Sequence, residues 1–254
     1  MNDTRNMLRR NALFLSLSAL WIVGIGIALL VFPKAETHLW LNSAHTAWQD
    51  VLFRSFTAVG EWVPYVIVFL LLFYKAGWAA YLLGSVAVSG LVSQGLKHLL
   101  HTDRPVTWFA KHCPDVQLPL VDGVEVHRYL SCPSGHTTTF FAMFLVLSVI
   151  ATDYISLRAA ANGRKQRTEK TQNCLVQAVC FMLAATGAYS RIYLNQHFLE
   201  DIFGGTILGL SVTALLYTAV PPLSRTPFWN WNLLRLVSHP SNCQDKAAST
   251  AGNG

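Results

Sequence analysis

Apolar residues occur in six long stretches separated by short polar segments. No charged residue lies between Arg10 and Lys34, so residues 11–32 form the first stretch. The second covers residues 56–74, with Glu61 and Pro64 near one end, and the third covers 78–96, after a tight turn at 75–77. The fourth covers 137–152, running on toward 156; the fifth covers 171–190, and the sixth 202–220. Each approaches the roughly 20 residues that an apolar helix needs to cross a bilayer. Backbone groups in hydrocarbon must be satisfied within the segment, so each stretch reads as a continuous helix. The pattern predicts an all-α, polytopic integral membrane protein with six transmembrane helices. The first stretch lacks a small-residue cleavage site before a polar chain, so it reads as an anchor, not a removed signal. Residues 38–56 alternate apolar and polar positions loosely, which fits a helix lying on the membrane surface or an ordered loop. No repeat of fixed period appears.

Composition agrees with the pattern. Hydrophobic residues are 52% of the 254 and charged residues 13%, about half the charge of an ordinary soluble domain. That excludes a disordered chain, and five cysteines in this length exclude a disulfide-dense scaffold. The net charge of +6 alone would suit nucleic acid or an anionic membrane. Its distribution decides for the membrane. If both termini are cytoplasmic, twelve of the nineteen Lys and Arg residues fall on the inner side and seven on the outer. The run from Arg164 to Lys170 makes the fourth connection cytoplasmic. The basic excess is then an orientation signal and needs no nucleic acid. The chain reads as one membrane-embedded domain over 1–254, with Trp229 and Trp231 as interfacial anchors and 241–254 as a disordered tail.

Polar chemistry gathers in three clusters at the outer ends of these helices. Lys97 and Arg104 flank the end of the third helix, seven residues apart, and Pro105 follows. Two cations at one depth suit an anion, and an arginine grips phosphate through paired hydrogen bonds; snorkelling basic residues are the ordinary alternative. Pro133-Ser134-Gly135-His136 opens the fourth helix, where free amides and the dipole form a phosphate cradle, or where Ser134 is simply an N-cap. Ser190-Arg191, His197 and Asp201 lie between the fifth and sixth helices. His197 and Asp201 have the spacing of an imidazole held by a carboxylate, either an activated nucleophile or a structural cap. Three clusters on one side of a membrane weaken the structural alternatives taken together, because such groups are costly there and usually functional.

In order and internal spacing, these motifs resemble the three-part signature of the type 2 phosphatidic acid phosphatases. This is the lipid phosphate phosphatase group, related in fold to vanadium haloperoxidases. The resemblance covers roughly residues 80–215, and the segments between motifs are similar to bacterial lipid A and undecaprenyl pyrophosphate phosphatases. It implies that His197 attacks phosphorus to form a phosphohistidine and that Asp201 orients it. It implies that His136 protonates the leaving alkoxide and that Lys97, Arg104, Arg191, Ser134 and Gly135 hold the phosphoryl oxygens. It further implies a phosphatase without a metal cofactor. The substrate would be a phosphorylated envelope lipid, met on the periplasmic side of a bacterial inner membrane. No obligate protein partner is expected. The sequence agrees on the cofactor, since it shows no carboxylate cluster for Mg²⁺, and His98 with His101 lacks a third ligand. Transfer of the phosphoryl group to another lipid, or anion transport, are the competing readings.

The remaining features are secondary. Cys113 and Cys132 share the long outer loop, where a disulfide would steady the site and two free thiols are the alternative. Cys174 and Cys180 read as packing residues in the fifth helix. Gly204, Gly205 and Gly209 give the sixth helix a small face for close packing. Glu61 is either a headgroup contact or an ordinary boundary carboxylate. Asp103 reads as a local ion partner of Arg104. His98, His101, His112 and His127 line the headgroup site or face water, and the loop 105–130 shapes the entrance.

Overall fold

The computed structural model describes residues 2–163, 166–219 and 231. Nine helices are formed among them: α1 Asn2–Arg10, α2 Ala12–Val31, α3 Lys34–Leu41, α4 Ala47–Tyr74, α5 Ala76–Leu100, α6 Pro105–His112, α7 Gly135–Ala161, α8 Gln166–Tyr193 and α9 Leu199–Ala219. Six of these, α2, α4, α5, α7, α8 and α9, are long and apolar enough to cross a membrane. They correspond one for one to the six apolar stretches. No strand is formed among the described residues, only one isolated bridge between Asp103 and Tyr129. The all-α, six-span expectation therefore holds. Trp229, Arg164, Lys165 and the tail 241–254 lie outside the described residues. Trp231 is described, and its carbonyl accepts the Ala76 N–H at the start of α5.

Helix ends differ from the hydropathy reading because caps, not apolar content, decide where a helix starts. α4 begins at Ala47, nine residues before the apolar run, where the Thr46 hydroxyl accepts the Gln49 N–H. The ambiguous segment 38–56 is thus the end of α3, a short turn and the start of α4. α7 begins at Gly135, with the Ser134 hydroxyl accepting the Thr137 N–H. α6 follows Arg104 with Pro105 in its first turn, where a missing N–H costs nothing.

α7 is the hub. It packs chiefly on α8, then on α9 and α5, and its Phe140, Phe141, Met143 and Leu145 are fully buried. α9 approaches α7 closely along a glycine face. A Cβ on Gly205 would stand 2.7 Å from the Ser134 carbonyl and 3.0 Å from Thr137 Cβ, and one on Gly209 would strike the Thr138 carbonyl. The small-residue face therefore holds α9 against the first turns of α7, and backbone contact of this kind excludes any larger side chain. The Ser134 N–H donates to the Asp201 carbonyl at 3.0 Å, fixing the same junction.

α3 straps the opposite side of that junction. Asn42 donates to the carbonyls of Ile192 and Tyr193, capping the end of α8. His38 pairs through Nε2 with Asn195 Oδ1 at 2.9 Å and is buried against Phe109 and Phe198. Burial holds its pKa below the ordinary histidine value.

Candidate active site

The three clusters meet at one end of the bundle, around a cavity of about 620 Å³. Lys97 enters from the last turn of α5, Arg104 from the residue preceding α6, and Arg191 from the last turn of α8. Gly135 and His136 come from the first turn of α7, and His197 from the turn between α8 and α9; all six line the cavity. Ser134 and Asp201 sit behind them, fully buried. The site residues expected from sequence are thus brought together. Three turns that shape the site each contain a left-handed residue. His101 ends α5, Leu130 precedes Ser131, and Asn195 stands two residues before His197.

His197 and Asp201 do meet, but not as two residues of one helix. His197 precedes α9, and Asp201 in its first turn reaches back. Asp201 Oδ2 accepts the Phe198 N–H at 2.9 Å, one half of a capping box. The same oxygen lies 3.2 Å from His197 Nδ1 and accepts from the Ser131 hydroxyl at 2.5 Å. Nδ1 is therefore the nitrogen held by the carboxylate, which leaves Nε2 for the cavity. His197 is buried, and burial, followed by the charges of Arg104, Lys97 and Arg191, holds its pKa well below the ordinary value. Both effects favour the neutral ring.

Two of the cations are held by neutral groups. Arg104 donates through Nε to the Tyr129 carbonyl at 3.0 Å and through Nη1 to Gln196 Oε1 at 2.9 Å. Arg191 donates through Nη1 to Thr57 Oγ1 at 2.7 Å, while its buried Nε has no partner among the described residues. Among the described residues, none of Lys97, Arg104 and Arg191 is in an ion pair with a carboxylate. Three buried cations outside any direct ion pair are costly to keep charged unless an anion arrives. Burial already pulls the Arg104 guanidinium below its ordinary pKa. The arrangement is an anion receptor facing an imidazole. Among the described residues no group of three or more His, Cys, Asp or Glu side chains is placed to hold a metal ion.

Several partners had no sequence signal. Ser131, Gln196 and Thr57 are isolated polar residues outside any motif, and only the fold brings them to Asp201, Arg104 and Arg191. Asp103 corrects the sequence reading, because it pairs with Lys111 at 2.7 Å and not with Arg104, whose head is turned inward by Tyr129 and Gln196. Cys113 and Cys132 are separate thiols and not a disulfide. Cys113 ends α6, whereas Cys132 lies inward, near Asp201 and beside Gly204. Burial and the charges of Asp201 and Glu200 raise the Cys132 pKa to about 12. Of the other histidines, His127 lines the cavity and His112 stacks on Trp108. Glu61 also lines the cavity, with Oε1 3.4 Å from His136 Nε2.

The cavity extends away from the charged end along two helix faces. On α5 it follows Val86, Gly90, Ser93, Gln94 and Lys97, and on α4 Arg54, Thr57, Ala58, Glu61 and Tyr65. Both sets have helical spacing. The eleven residue steps from Lys97 to Val86 correspond to roughly 16 Å along the helix.

Fold and site together define a helical membrane protein with an anion-receiving, histidine-bearing centre at one end of its bundle. Residues 78–225 match the model of the PAP2 superfamily. The chain belongs to that superfamily, as its three-part signature implied. It is 29% identical over 147 residues to lipid phosphate phosphatase 2 of Arabidopsis thaliana, covering 54% of this chain and 48% of that protein. It is 28% identical over 184 residues to lipid A 4'-phosphatase of Porphyromonas gingivalis, covering 70% and 69% respectively. The chain thus spans about half the length of the plant relative. In fold it is similar to LpxE of Aquifex aeolicus, with a TM-score of 0.55 at 22% identity, over 74% of this chain and 97% of that one.

Proposed function

We propose that the chain is a single membrane-embedded phosphatase. It removes a phosphate from the phosphomonoester or pyrophosphate of an envelope lipid, of lipid A, undecaprenyl pyrophosphate or phosphatidic acid type. The observation that carries this reading is the set of three buried cations, none in a direct ion pair among the described residues, that face His197 in one cavity. Family membership supports the reaction class, and the names of the plant and Porphyromonas relatives support lipid phosphates as its substrates. The cavity's extension between α4 and α5 supports a substrate with a chain, since a free sugar phosphate needs no groove of that length.

In this reading Lys97, Arg104 and Arg191 hold the phosphoryl oxygens, with the first amides of α7 behind them. His197 Nε2 attacks phosphorus in line with the leaving oxygen, and the P–O bond breaks as the P–N bond forms. His136 gives its proton to the leaving oxygen. Asp201 balances the charge that develops on the His197 ring. A water molecule then attacks the phosphohistidine, His136 takes its proton, and inorganic phosphate leaves. Three cations and helix-end amides supply the charge stabilisation that phosphoryl transfer requires, so the reading includes no metal. The basic excess at the opposite end of the bundle supports cytoplasmic termini and a periplasmic site.

The test is phosphate release by purified protein from a panel of phosphatidic acid, phosphatidylglycerol phosphate, undecaprenyl pyrophosphate and lipid A. Turnover of at least one, abolished in His197→Ala and in His136→Ala, is expected. Full activity in His197→Ala would sink the assignment of the nucleophile. Loss of activity with EDTA, restored by a divalent ion, would sink the metal-free mechanism.

A further inference from the structure

α4 lies outside the segment that matches the family model, yet it contacts the catalytic end, with Thr57 on Arg191 and with the consecutive residues Gly60 and Glu61 on His136. A Cβ on Gly60 would stand 2.7 Å from His136 Cδ2 and 3.2 Å from the Phe140 ring, so only glycine lets α4 come this close to the imidazole. The next residue, Glu61, places Oε1 3.4 Å from His136 Nε2. That nitrogen is buried and has no hydrogen-bond partner among the described residues. Around the ring stand Arg191 from α8, Lys97 from α5, Arg104 from the start of α6, and His197. Glu61 is the one carboxylate among the described residues in ion-pair range of it.

We propose that Glu61 is the positioning residue for His136. It holds Nε2–H, which leaves Nδ1 to face the leaving oxygen, and its negative charge keeps the imidazolium in place among the cations. The carboxylate touches neither phosphorus nor the leaving group; it acts through the ring. This inference rests on the reading of His136 as the proton donor. The 3.4 Å contact shortens once the ring carries its proton, because a charge-assisted hydrogen bond then forms across it.

A proton donor matters most when the leaving group is basic. The experiment therefore compares two esters, dodecyl phosphate with an alkoxide leaving group and p-nitrophenyl phosphate with a stable phenolate. Glu61→Gln in the full chain should lower kcat on the dodecyl ester at least tenfold more than on the nitrophenyl ester. The alkaline limb of the dodecyl pH profile should move to lower pH by about one unit, and Glu61→Asp should restore part of both. A purely structural role would lower the two esters alike, and that result overturns the proposal. Independently of turnover, histidine ¹⁵N spectra of the detergent-solubilised protein should show His136 titrating at lower pH in Glu61→Gln. An unchanged His136 titration also overturns it. His136→Ala separates the two readings: if it fails to show the same leaving-group selectivity, the role of His136 itself is wrong, whatever Glu61 does.

Discussion

Asp201→Asn is the sharpest perturbation of the site. The carboxylate lies 3.2 Å from His197 Nδ1, and the substitution keeps its shape while removing its charge. In the proposed mechanism the ring becomes positive as the P–N bond forms. Two unit charges at that separation interact by about 5 kcal/mol at an effective dielectric constant near 20. At about 1.4 kcal/mol per factor of ten, losing that interaction slows phosphorylation of His197 by roughly 10³- to 10⁴-fold. The asparagine oxygen can take the place of Oδ2 and accept the same three contacts, so the charge is what the substitution removes. The proposed mechanism assigns ground-state binding to Lys97, Arg104 and Arg191, so KM should change by less than about threefold while kcat takes the loss. The assay is release of phosphate from the best lipid of the panel by wild type and variant. A melting curve run alongside should show a fall of a few degrees, because the cap on Phe198 N–H is weakened by about 1 kcal/mol. A kcat within tenfold of wild type in a folded variant would refute the charge argument.

Three further outcomes follow from the same geometry. Gly205→Val drives a branched side chain into the Ser134 carbonyl and Thr137, so it should destabilise the protein by about 1–3 kcal/mol and disable the α7 cradle; a wild-type melting temperature would contradict the packing. The pH dependence of stability has a defined sign. Burial lowers the His197 pKa below 6.5 in the folded state, so below about pH 6.5 the unfolded chain binds more protons than the folded one. Stability is fully present above that value and should fall as pH drops below it, with His38 and His127 contributing in the same direction. A melting temperature that is flat from pH 7 to pH 5, or a slope unchanged in His197→Asn, would contradict this. Gly90→Leu fills open space on the cavity wall, since no atom lies within 4 Å of a Cβ there. It should reduce turnover of long-chain phosphatidic acid at least tenfold more than that of a short-chain analogue, and equal effects would argue against a chain in the groove.

Much of this architecture is visible in the chain itself. Six apolar stretches give six spans because hydrocarbon allows few alternatives, and the motif spacing brings out Lys97, Arg104, Ser134, Gly135, His136, Arg191, His197 and Asp201. Helix ends are less visible. Thr46 starts α4 well before the apolar run, and only its cap geometry reveals it. The supporting partners are not visible at all. Ser131, Gln196 and Thr57 are ordinary polar residues whose roles arise from contacts across 70, 92 and 134 residues of chain. Asp103 shows the limit of adjacency: it is next to Arg104 in sequence, yet the turn into α6 sends the two heads apart and gives Asp103 to Lys111. The cysteine pair fails for a related reason, as Cys132 is directed inward to Asp201.

The central claim is that His197 carries the phosphoryl group during turnover. The most direct measurement is rapid quenching of the protein with ³²P-labelled lipid substrate, followed by peptide mapping of the bound label. The account predicts an acid-labile, base-stable label on the peptide containing His197. It should be absent in His197→Ala and should accumulate when water attack is slowed in His136→Ala with an activated ester. Label on another residue, or steady turnover with no labelled protein at any quench time, would contradict it.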